Sequence, residues 1–204
     1  AATRGAHAEY ATVRADGAVT RTPSGLTDEE AAAVPFGANS ALAFLRDFAQ
    51  VRAGQRVLVV GASGGVGVWA VQIARHLGAE VTGVASAKNL ELLRSLGAVR
   101  ALDYGRDAYL EPGARYDLIF DTLGATTFAQ ARPALASSGT YLPLTAGFRE
   151  IAQSITTRFG GGPRVKFAIS ANTRALLEDN AALLAAGAIH PVVDEVFPME
   201  RIAD

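Results

Sequence analysis

The sequence predicts an α/β protein built on a doubly wound sheet of six parallel strands. From Arg56 onward, short apolar runs rich in β-branched residues alternate with helical stretches. A glycine-rich turn, "GASGGVG", joins the first of these runs to an apolar helix. The composition, 50% hydrophobic and only 19% charged, suits close packing of helices on a sheet. Together these three observations favour the doubly wound class.

The segment 6–23, "AHAEYATVRADGAVTRTP", comes first and predicts one or two strands, because short side chains alternate with β-formers. A strand pair this short cannot bury an apolar face by itself. We therefore expect the segment to belong to a sheet whose remainder lies elsewhere.

Two helices are expected next. Thr27 and Glu30 have the spacing of a capping box, and acidic residues fill the first turn after Thr27. This helix should be short and stop before Pro35, since proline lacks the N–H that a helix interior needs. A second helix is expected over 40–51, ended by the turn "AGQ".

The regular pattern then supplies the sheet and its crossovers. We place strands at 56–61, 80–85, 99–102, 116–120, 139–144 and 165–169. Helices are placed near 65–78, 88–96, 125–135 and 172–187. The segment 148–164 is ambiguous, an amphipathic helix that ends in a glycine-rich loop. The apolar run 165–169 should be the last strand, which leaves its backbone groups free to pair with a second copy.

Charge and residue types narrow the function classes. Lys plus Arg number 19 and Asp plus Glu 20, a net charge of −1, so neither nucleic acid nor a membrane surface is a favoured partner. The absence of cysteine excludes disulfides and Cys-ligated zinc within the chain, and His7, His76 and His190 lack metal-ligand spacing. No apolar run is long enough to span a membrane, and residues 1–20 contain no signal-peptide core. A cytoplasmic protein is expected.

The turn after the first strand indicates the chemistry. Its residues "ASGGVG" match the dinucleotide fingerprint G-x-G-x-x-G with Ala62 in place of the first glycine. Gly64 would let the backbone approach a pyrophosphate, and Gly67 would let the helix pack on the strand. Such turns also serve packing alone, but here a strand precedes, a helix follows and the next strand arrives at the βαβ distance. We therefore predict a dinucleotide site.

Two competing classes fit less well. No Gly-Lys-Ser/Thr follows the glycines, so an ATP or GTP phosphate loop would lack its lysine. Lys88 and Lys166 are the only lysines, and neither forms the Tyr-x-x-x-Lys pair of short-chain dehydrogenases.

The end of the second strand predicts which dinucleotide binds. NAD sites place a carboxylate there to accept hydrogen bonds from the ribose 2′-hydroxyl, and this chain has Ala85. Ser86 and Lys88 follow, and a hydroxyl and an ammonium attract a 2′-phosphate. The sequence thus favours NADP(H), and Tyr104 could contact the same phosphate or pack beneath the adenine. The alternative is that Lys88 is only a solvated residue at a helix start.

These residues resemble the medium-chain dehydrogenase/reductase superfamily, in its zinc-free quinone-oxidoreductase-like (zeta-crystallin-like) branch with the reticulon-4-interacting-protein-like oxidoreductases. The matching stretches are "GAHAEY", "LTDEEAAAVPFGANSAL", "GQRVLVVGASGGVG", "LLRSLGA", "YDLIFDTLG" and "AAGAIHPVVDEVFP". The resemblance implies a homodimeric NADPH-dependent oxidoreductase with a small-molecule substrate. It would transfer hydride to a quinone or an electron-poor C=C bond.

The resemblance also implies site residues. Pyrophosphate-binding residues would be Ser63, Gly64, Gly65, Val66 and Gly67, and those for the 2′-phosphate Ser86, Lys88 and Tyr104. Thr122 would lie beside the ribose, and the nicotinamide would face Ser40, Leu144, Thr145, Phe167 and Ala168. Phe36 stands where zinc-dependent members have a cysteine ligand, so no catalytic metal is expected.

Family members begin with a GroES-like catalytic domain. The resemblance implies that residues 1–24 are a short β remnant of that domain and that 25–204 form the NADP(H)-binding Rossmann domain. Most of the substrate pocket would then lie outside this chain, and no catalytic residue is identified. Tyr10 and Tyr141 could act as acids but are expected to be structural. A non-catalytic NADPH-sensing module, a zinc-free alcohol dehydrogenase and an enoyl reductase stay open as alternatives.

Overall fold

Six parallel strands form one sheet in the computed structural model, which describes Tyr10, residues 12–170 and 172–198, and Arg201. The strands are β1 (Arg56–Val60), β2 (Glu80–Ala85), β3 (Arg100–Asp103), β4 (Tyr116–Asp121), β5 (Leu135–Pro143) and β6 (Arg164–Val165). They lie in the order β3-β2-β1-β4-β5-β6, and all neighbours pair in parallel. This is the strand order of the doubly wound dinucleotide-binding fold, so the predicted fold class is confirmed.

Six α-helices flank or connect these strands in the described part of the chain. They are α1 (Asp28–Leu42), α2 (Gly67–His76), α3 (Leu90–Ser95), α4 (Phe128–Ala131), α5 (Phe148–Thr156) and α6 (Arg174–Ala185). The helix expected over 125–135 is shorter than predicted, because α4 makes one turn and a 3₁₀ turn at Arg132–Ala134 leads directly into β5. The ambiguous segment 148–164 contains α5. Within the described ranges, no helix combines the length and apolarity that a bilayer crossing requires.

The expected stop before Pro35 is wrong. The Thr27–Glu30 capping box forms, with both hydrogen bonds present, but α1 continues through Pro35 and then as a π-helix from Ala43 to Phe48. A proline costs a helix interior about 3 kcal/mol. Beyond it the helix buries Leu42, Phe44 and Leu45, and full burial of each such side chain is worth about 1.5–3 kcal/mol. The buried face therefore outweighs the lost backbone bond.

The strand predictions at the two ends of the chain also need correction. The expected strands over 6–23 fall partly outside the described residues, and residues 12–24 contain turns and irregular backbone but no strand. Carbonyls of this segment accept hydrogen bonds from the Arg174 guanidinium instead of from a neighbouring strand. At the sheet edge, the strand predicted over 165–169 is paired only at Arg164–Val165, with one further bond from Lys166 N–H to the Tyr141 carbonyl.

The sheet is buried on both faces. Val57 and Val59 of β1 face the layer that contains α1, α2 and α6, whereas Leu58 and Val60 face the layer that contains α4. This alternation is the period of two that a strand imposes on its side chains. The central position of β1 and β4 places the ends of both strands, and the loops after them, at the middle of one sheet edge.

The packing of α1 against α2 depends on a glycine. A Cβ atom on Gly37 would lie 2.1 Å from the Gly65 carbonyl oxygen and 2.5 Å from the Trp69 ring. The two helices therefore approach at backbone distance, and α1 lies directly against the start of α2.

We expect Gly37→Ala to destabilise the protein. Alanine would add about 1 kcal/mol of helix propensity, but overpacking against backbone costs about 1–3 kcal/mol or more, so the clash should dominate. Urea unfolding should give a net loss of up to about 2 kcal/mol. Gly160→Ala is the matched control, because a Cβ there meets no atom within 4 Å, and its stability should be unchanged. A stabilised Gly37→Ala variant would contradict the close approach.

Candidate cofactor site

A cleft opens where the strand order reverses between β1 and β4. In doubly wound sheets this switch point lies outside the carboxyl ends of the strands and is the usual ligand site. The cleft has a volume of about 480 Å³. It is lined by Val60, Gly61, Ser63, Gly64, Val84, Ala85, Ser86, Tyr104, Tyr109, Leu123 and Ala125. Apolar walls with a few polar groups are typical of cofactor sites.

The glycine turn is shaped by the contact between β1 and α2. Gly61 has a φ of +78°, a conformation that favours glycine, and its carbonyl accepts from Gly64 N–H at 3.0 Å. A Cβ on Gly67 would lie 2.1 Å from that same carbonyl oxygen. Glycine is therefore required at position 67 for packing, which is the role that its place in the fingerprint predicts.

Gly64 differs from Gly67 in what requires it. A Cβ at Gly64 would lie 3.4 Å from the Gly61 carbonyl, an ordinary contact, and one at Gly65 would meet no atom within 4 Å. Protein packing thus does not demand glycine at either position. Gly64 lines the cleft, so a side chain there would occupy space that a ligand could fill.

The start of α2 presents backbone donors. Among the described residues, the N–H groups of Gly65, Val66 and Gly67 have no hydrogen-bond acceptor. The first turn of α2 contains no acidic side chain. Free N–H groups and the positive end of the helix dipole favour an anion at this point.

Asn89 connects the glycine turn to the loop after β2. Its side-chain Nδ2 lies 3.0 Å from Ser63 Oγ and 3.4 Å from Ser86 Oγ. The sequence predicts both serines as cofactor-binding residues but not Asn89. The one signal available was an asparagine three residues after Ser86, a residue type that readily bonds to neighbouring turns.

The other residues predicted for a 2′-phosphate differ in position. Tyr104 lines the cleft with its side chain 65% exposed, and its N–H donates to the Ala85 carbonyl at 3.1 Å. Lys88 is exposed in the 3₁₀ turn after β2 but does not line the cleft. The structure therefore brings Ser63, Ser86 and Tyr104 together and leaves Lys88 at the margin.

The loop after β4 forms the opposite wall and is held by a buried carboxylate. Asp121 is fully buried, and its oxygens accept from the N–H groups of four successive residues, 123–126, and from the Thr126 hydroxyl. The Tyr141 hydroxyl also lies 3.2 Å from Asp121 Oδ2. The sequence predicts that Thr122 lies beside the ribose but gives no role to Asp121 next to it.

Tyr141 supports this loop from beneath. Burial, with a smaller contribution from Asp121, raises the pKa of Tyr141 to about 12. Its hydroxyl also donates to the Thr126 carbonyl at 2.6 Å. A buried phenol that keeps its proton and bonds to the loop acts as a structural group. Tyr10, the other tyrosine considered as an acid, is 90% exposed.

Thr122 joins the β4 loop to the glycine turn. Its hydroxyl lies 2.9 Å from the Val60 carbonyl and 3.2 Å from the Gly61 carbonyl, and its N–H also donates to Val60. The Thr122 hydroxyl proton is therefore used within the protein, and only its oxygen lone pairs are available to accept a bond.

The residues predicted to face a nicotinamide lie outside the 480 Å³ cleft. Leu144 and Thr145 follow β5 at the same sheet edge, and the Leu144 N–H donates to the Asp121 carbonyl at 2.8 Å. Ser40 is buried within α1, and Phe167 and Ala168 are partly buried after β6. None of these five residues lines the cleft itself.

Two further features of the structure lie outside the cleft. Phe36 is 70% exposed on α1, and the described residues contain no group of three or more His, Cys, Asp or Glu side chains that could hold a metal ion. A separate cavity of about 250 Å³ lies between the segment 12–24, α1 and α6. Its lining is mainly apolar and includes no residue of the glycine turn, so we place the candidate site in the cleft.

The fold and the glycine turn define a Rossmann-type domain with its cleft at the switch point. The chain belongs to the zinc-binding dehydrogenase family, whose model matches residues 96–204. This confirms the resemblance to the medium-chain dehydrogenase/reductase superfamily.

Individual relatives agree with this assignment. The mitochondrial NAD(P)H oxidoreductase RTN4IP1 of Bos taurus is 30% identical over 212 residues, which cover 91% of this chain and 54% of the relative. The chloroplastic quinone-oxidoreductase homolog of Spinacia oleracea is 35% identical over 155 residues, which cover 72% of this chain and 47% of the relative. The chain thus spans about half the length of these curated relatives.

A solved structure is similar over nearly the whole chain. The thermostable alcohol dehydrogenase from Pyrobaculum aerophilum, described with cobalt and zinc bound, has a TM-score of 0.79 and 32% identity. The match covers 98% of this chain and 58% of that one.

Substitutions at Gly64 and Gly67 should affect different properties, the first cofactor affinity and the second stability. We expect Gly64→Val to fold and to lose dinucleotide affinity by about a hundredfold or more, because the side chain would fill the space beside the turn. Gly67→Ala should instead lower the unfolding midpoint, since its Cβ meets backbone. Calorimetric titration with NADPH and NADH, together with thermal unfolding, checks both. Unchanged affinity in a folded Gly64→Val variant would show that the glycine turn serves only packing.

Proposed function

We propose that this protein is an NADPH-dependent oxidoreductase that transfers hydride to an electron-poor C=C bond or a quinone. Residues 25–204 would supply the cofactor-binding domain, and 1–24 would belong with a GroES-like domain. The observation that carries the proposal is the glycine turn at the switch point, where Ser63 and Gly64 line the cleft and the N–H groups of the next three residues, at the start of α2, have no acceptor among the described residues. The oxidoreductase relatives named above support it.

The residues of the cleft fit an NADP(H) molecule. Its pyrophosphate would be held by the turn from Ser63 to Gly67, where an anion meets free N–H groups and Gly64 leaves room for it. The adenosine half would lie in the cleft, whose walls include Tyr104, Tyr109 and Leu123. When bound, the nicotinamide supplies the hydride, and the protein orients it and excludes water.

The nicotinamide half would extend along the sheet edge beyond the cleft. We propose that Thr122, through its oxygen, accepts a hydrogen bond from the ribose. The backbone of Leu144 and Thr145 follows β5 at the same edge, and the ring would lie among these residues, Ser40, Phe167 and Ala168. No residue of this chain is proposed as the catalytic acid or base. Phe36 offers no metal ligand, which supports a zinc-free reaction.

The substrate class follows from the chemistry of hydride acceptance. An enone accepts the hydride of NADPH at the carbon β to its carbonyl, and a quinone accepts it into its conjugated dicarbonyl system. In both, a carbonyl oxygen takes up the negative charge, and a proton from solvent completes the reduction. A donor that polarises this oxygen would complete the site. The similarity to the Pyrobaculum aerophilum enzyme favours alcohol oxidation as the second candidate. Enoyl reduction stays open as well.

Turnover tests the proposal. The protein should oxidise NADPH in the presence of 9,10-phenanthrenequinone or a simple enone, followed at the absorbance of the reduced nicotinamide. The assay should use both this chain and the longest polypeptide in which it occurs. Gly64→Val is the matched inactive control. Binding without turnover on quinone, enone or alcohol would instead support a non-catalytic sensing module.

NADPH should bind more tightly than NADH. Ala85 offers no carboxylate to a ribose 2′-hydroxyl, while Ser86 lines the cleft and Lys88 is exposed nearby. A charge-assisted contact could contribute about 1.5–3 kcal/mol, which is about ten- to a hundredfold in affinity. Because the loop is exposed, part of this preference should fade at high salt.

Fluorescence titration of both cofactors measures that preference. Lys88→Glu should reduce or reverse it, because a carboxylate repels the 2′-phosphate. Arg52→Glu, the same charge change at an exposed position before β1, should leave the ratio unchanged. If Lys88→Glu keeps the full preference for NADPH, the phosphate is recognised elsewhere, and Tyr104 is the next residue to substitute.

We further propose a homodimer through the free edge of β6, since an edge strand offers unpaired N–H and C=O groups to a second copy. Light scattering at micromolar concentration should then give the mass of two chains.

A cytoplasmic location is proposed from the composition, although the two curated relatives named above are mitochondrial and chloroplastic. Localisation of a fluorescent fusion in the source cells checks it.

A further inference from the structure

One amide group connects the two loops that line the same side of the cleft. Asn89 ends the 3₁₀ turn after β2, and its N–H donates to the Ser86 carbonyl at 2.9 Å. From this fixed backbone, its Nδ2 reaches Ser63 Oγ at 3.0 Å and Ser86 Oγ at 3.4 Å. The side chain is partly buried between the glycine turn and the β2 loop.

The direction of these hydrogen bonds determines what the serines can do. An amide NH₂ only donates, so both serine oxygens act as acceptors toward Asn89. Each hydroxyl keeps its own proton, and neither proton has an acceptor among the described residues. Ser63 and Ser86 both line the cleft. Asn89 therefore leaves two hydroxyl donors available to a ligand in the cleft.

We infer that Asn89 is a positioning residue that contributes to the preference for NADPH by orienting the Ser63 and Ser86 hydroxyls toward phosphate oxygens. The inference rests on the proposed function. Ser86 stands at the end of the second strand, where the substituent on the ribose 2′ carbon is recognised. Ser63 belongs to the pyrophosphate turn. Loss of Asn89 should thus affect the pyrophosphate of both cofactors and the 2′-phosphate of NADPH alone.

Two variants separate this role from simple packing. Asn89→Ala removes the donor, and we expect NADPH affinity to fall by about tenfold and NADH affinity by about twofold. Asn89→Asp keeps the size of the side chain but turns the donor into an acceptor. The serine hydroxyls would then donate to the carboxylate, so NADPH affinity should fall further than in Asn89→Ala. Thermal unfolding of each variant confirms that it is folded.

A double-mutant cycle with Ser86→Ala provides the decisive measurement, by fluorescence titration of NADPH and NADH. If Asn89 acts through Ser86, Asn89→Ala should leave the NADPH to NADH affinity ratio unchanged in the Ser86→Ala background. Independent effects of the two substitutions on that ratio would overturn the inference. So would an unchanged ratio in both folded Asn89 variants. Binding of neither dinucleotide by the unsubstituted protein would overturn the proposed function itself, which distinguishes the two failures.

Discussion

The close approach of α2 to the end of β1 is the constraint on which the rest of the site depends. Because Gly67 carries no side chain, the first turn of α2 rests directly on the Gly61 carbonyl. That contact aims the free N–H groups of the turn toward the edge of the sheet. Gly37 likewise allows a close approach of α1, which lies against Gly65 and Trp69. Two contacts at backbone distance thus fix the start of α2, the candidate anion site, without any charged side chain.

Polar groups then brace the loops that the sheet cannot hold by itself. Asp121 is buried in the core and accepts hydrogen bonds from the N–H groups of the β4 loop. Asn89 joins the glycine turn to the β2 loop. Each gathers donors or acceptors that would otherwise be left without partners, which is costly where water is excluded. Thr122 links the β4 loop to the glycine turn by bonding to the carbonyls at the end of β1. The walls of the cleft are therefore preorganised.

A site in which the backbone and a few side chains only hold and orient a ligand fits an oxidoreductase domain whose chemistry comes from its cofactor. Under the proposed function, the glycine turn would form the floor for the pyrophosphate, the apolar cleft would hold the adenosine and the nicotinamide would lie along the open sheet edge. In that proposal, affinity for the pyrophosphate would come from backbone groups, and discrimination at the ribose would come from a few exposed side chains. The first should be insensitive to surface substitution and salt, whereas the second should respond to both.

The sequence by itself determined the sheet, its strand order class, the glycine turn and the two serines, because these depend on local periodicity and on steric needs that show as residue type. It did not determine the end of the first helix, where burial of Leu42, Phe44 and Leu45 outweighs Pro35. Asp121 and Asn89 were missed for a related reason. Their partners are loop groups brought together only when the strands align, and an Asp or Asn near a turn has many local uses. Only the tertiary structure decided which of those uses applies.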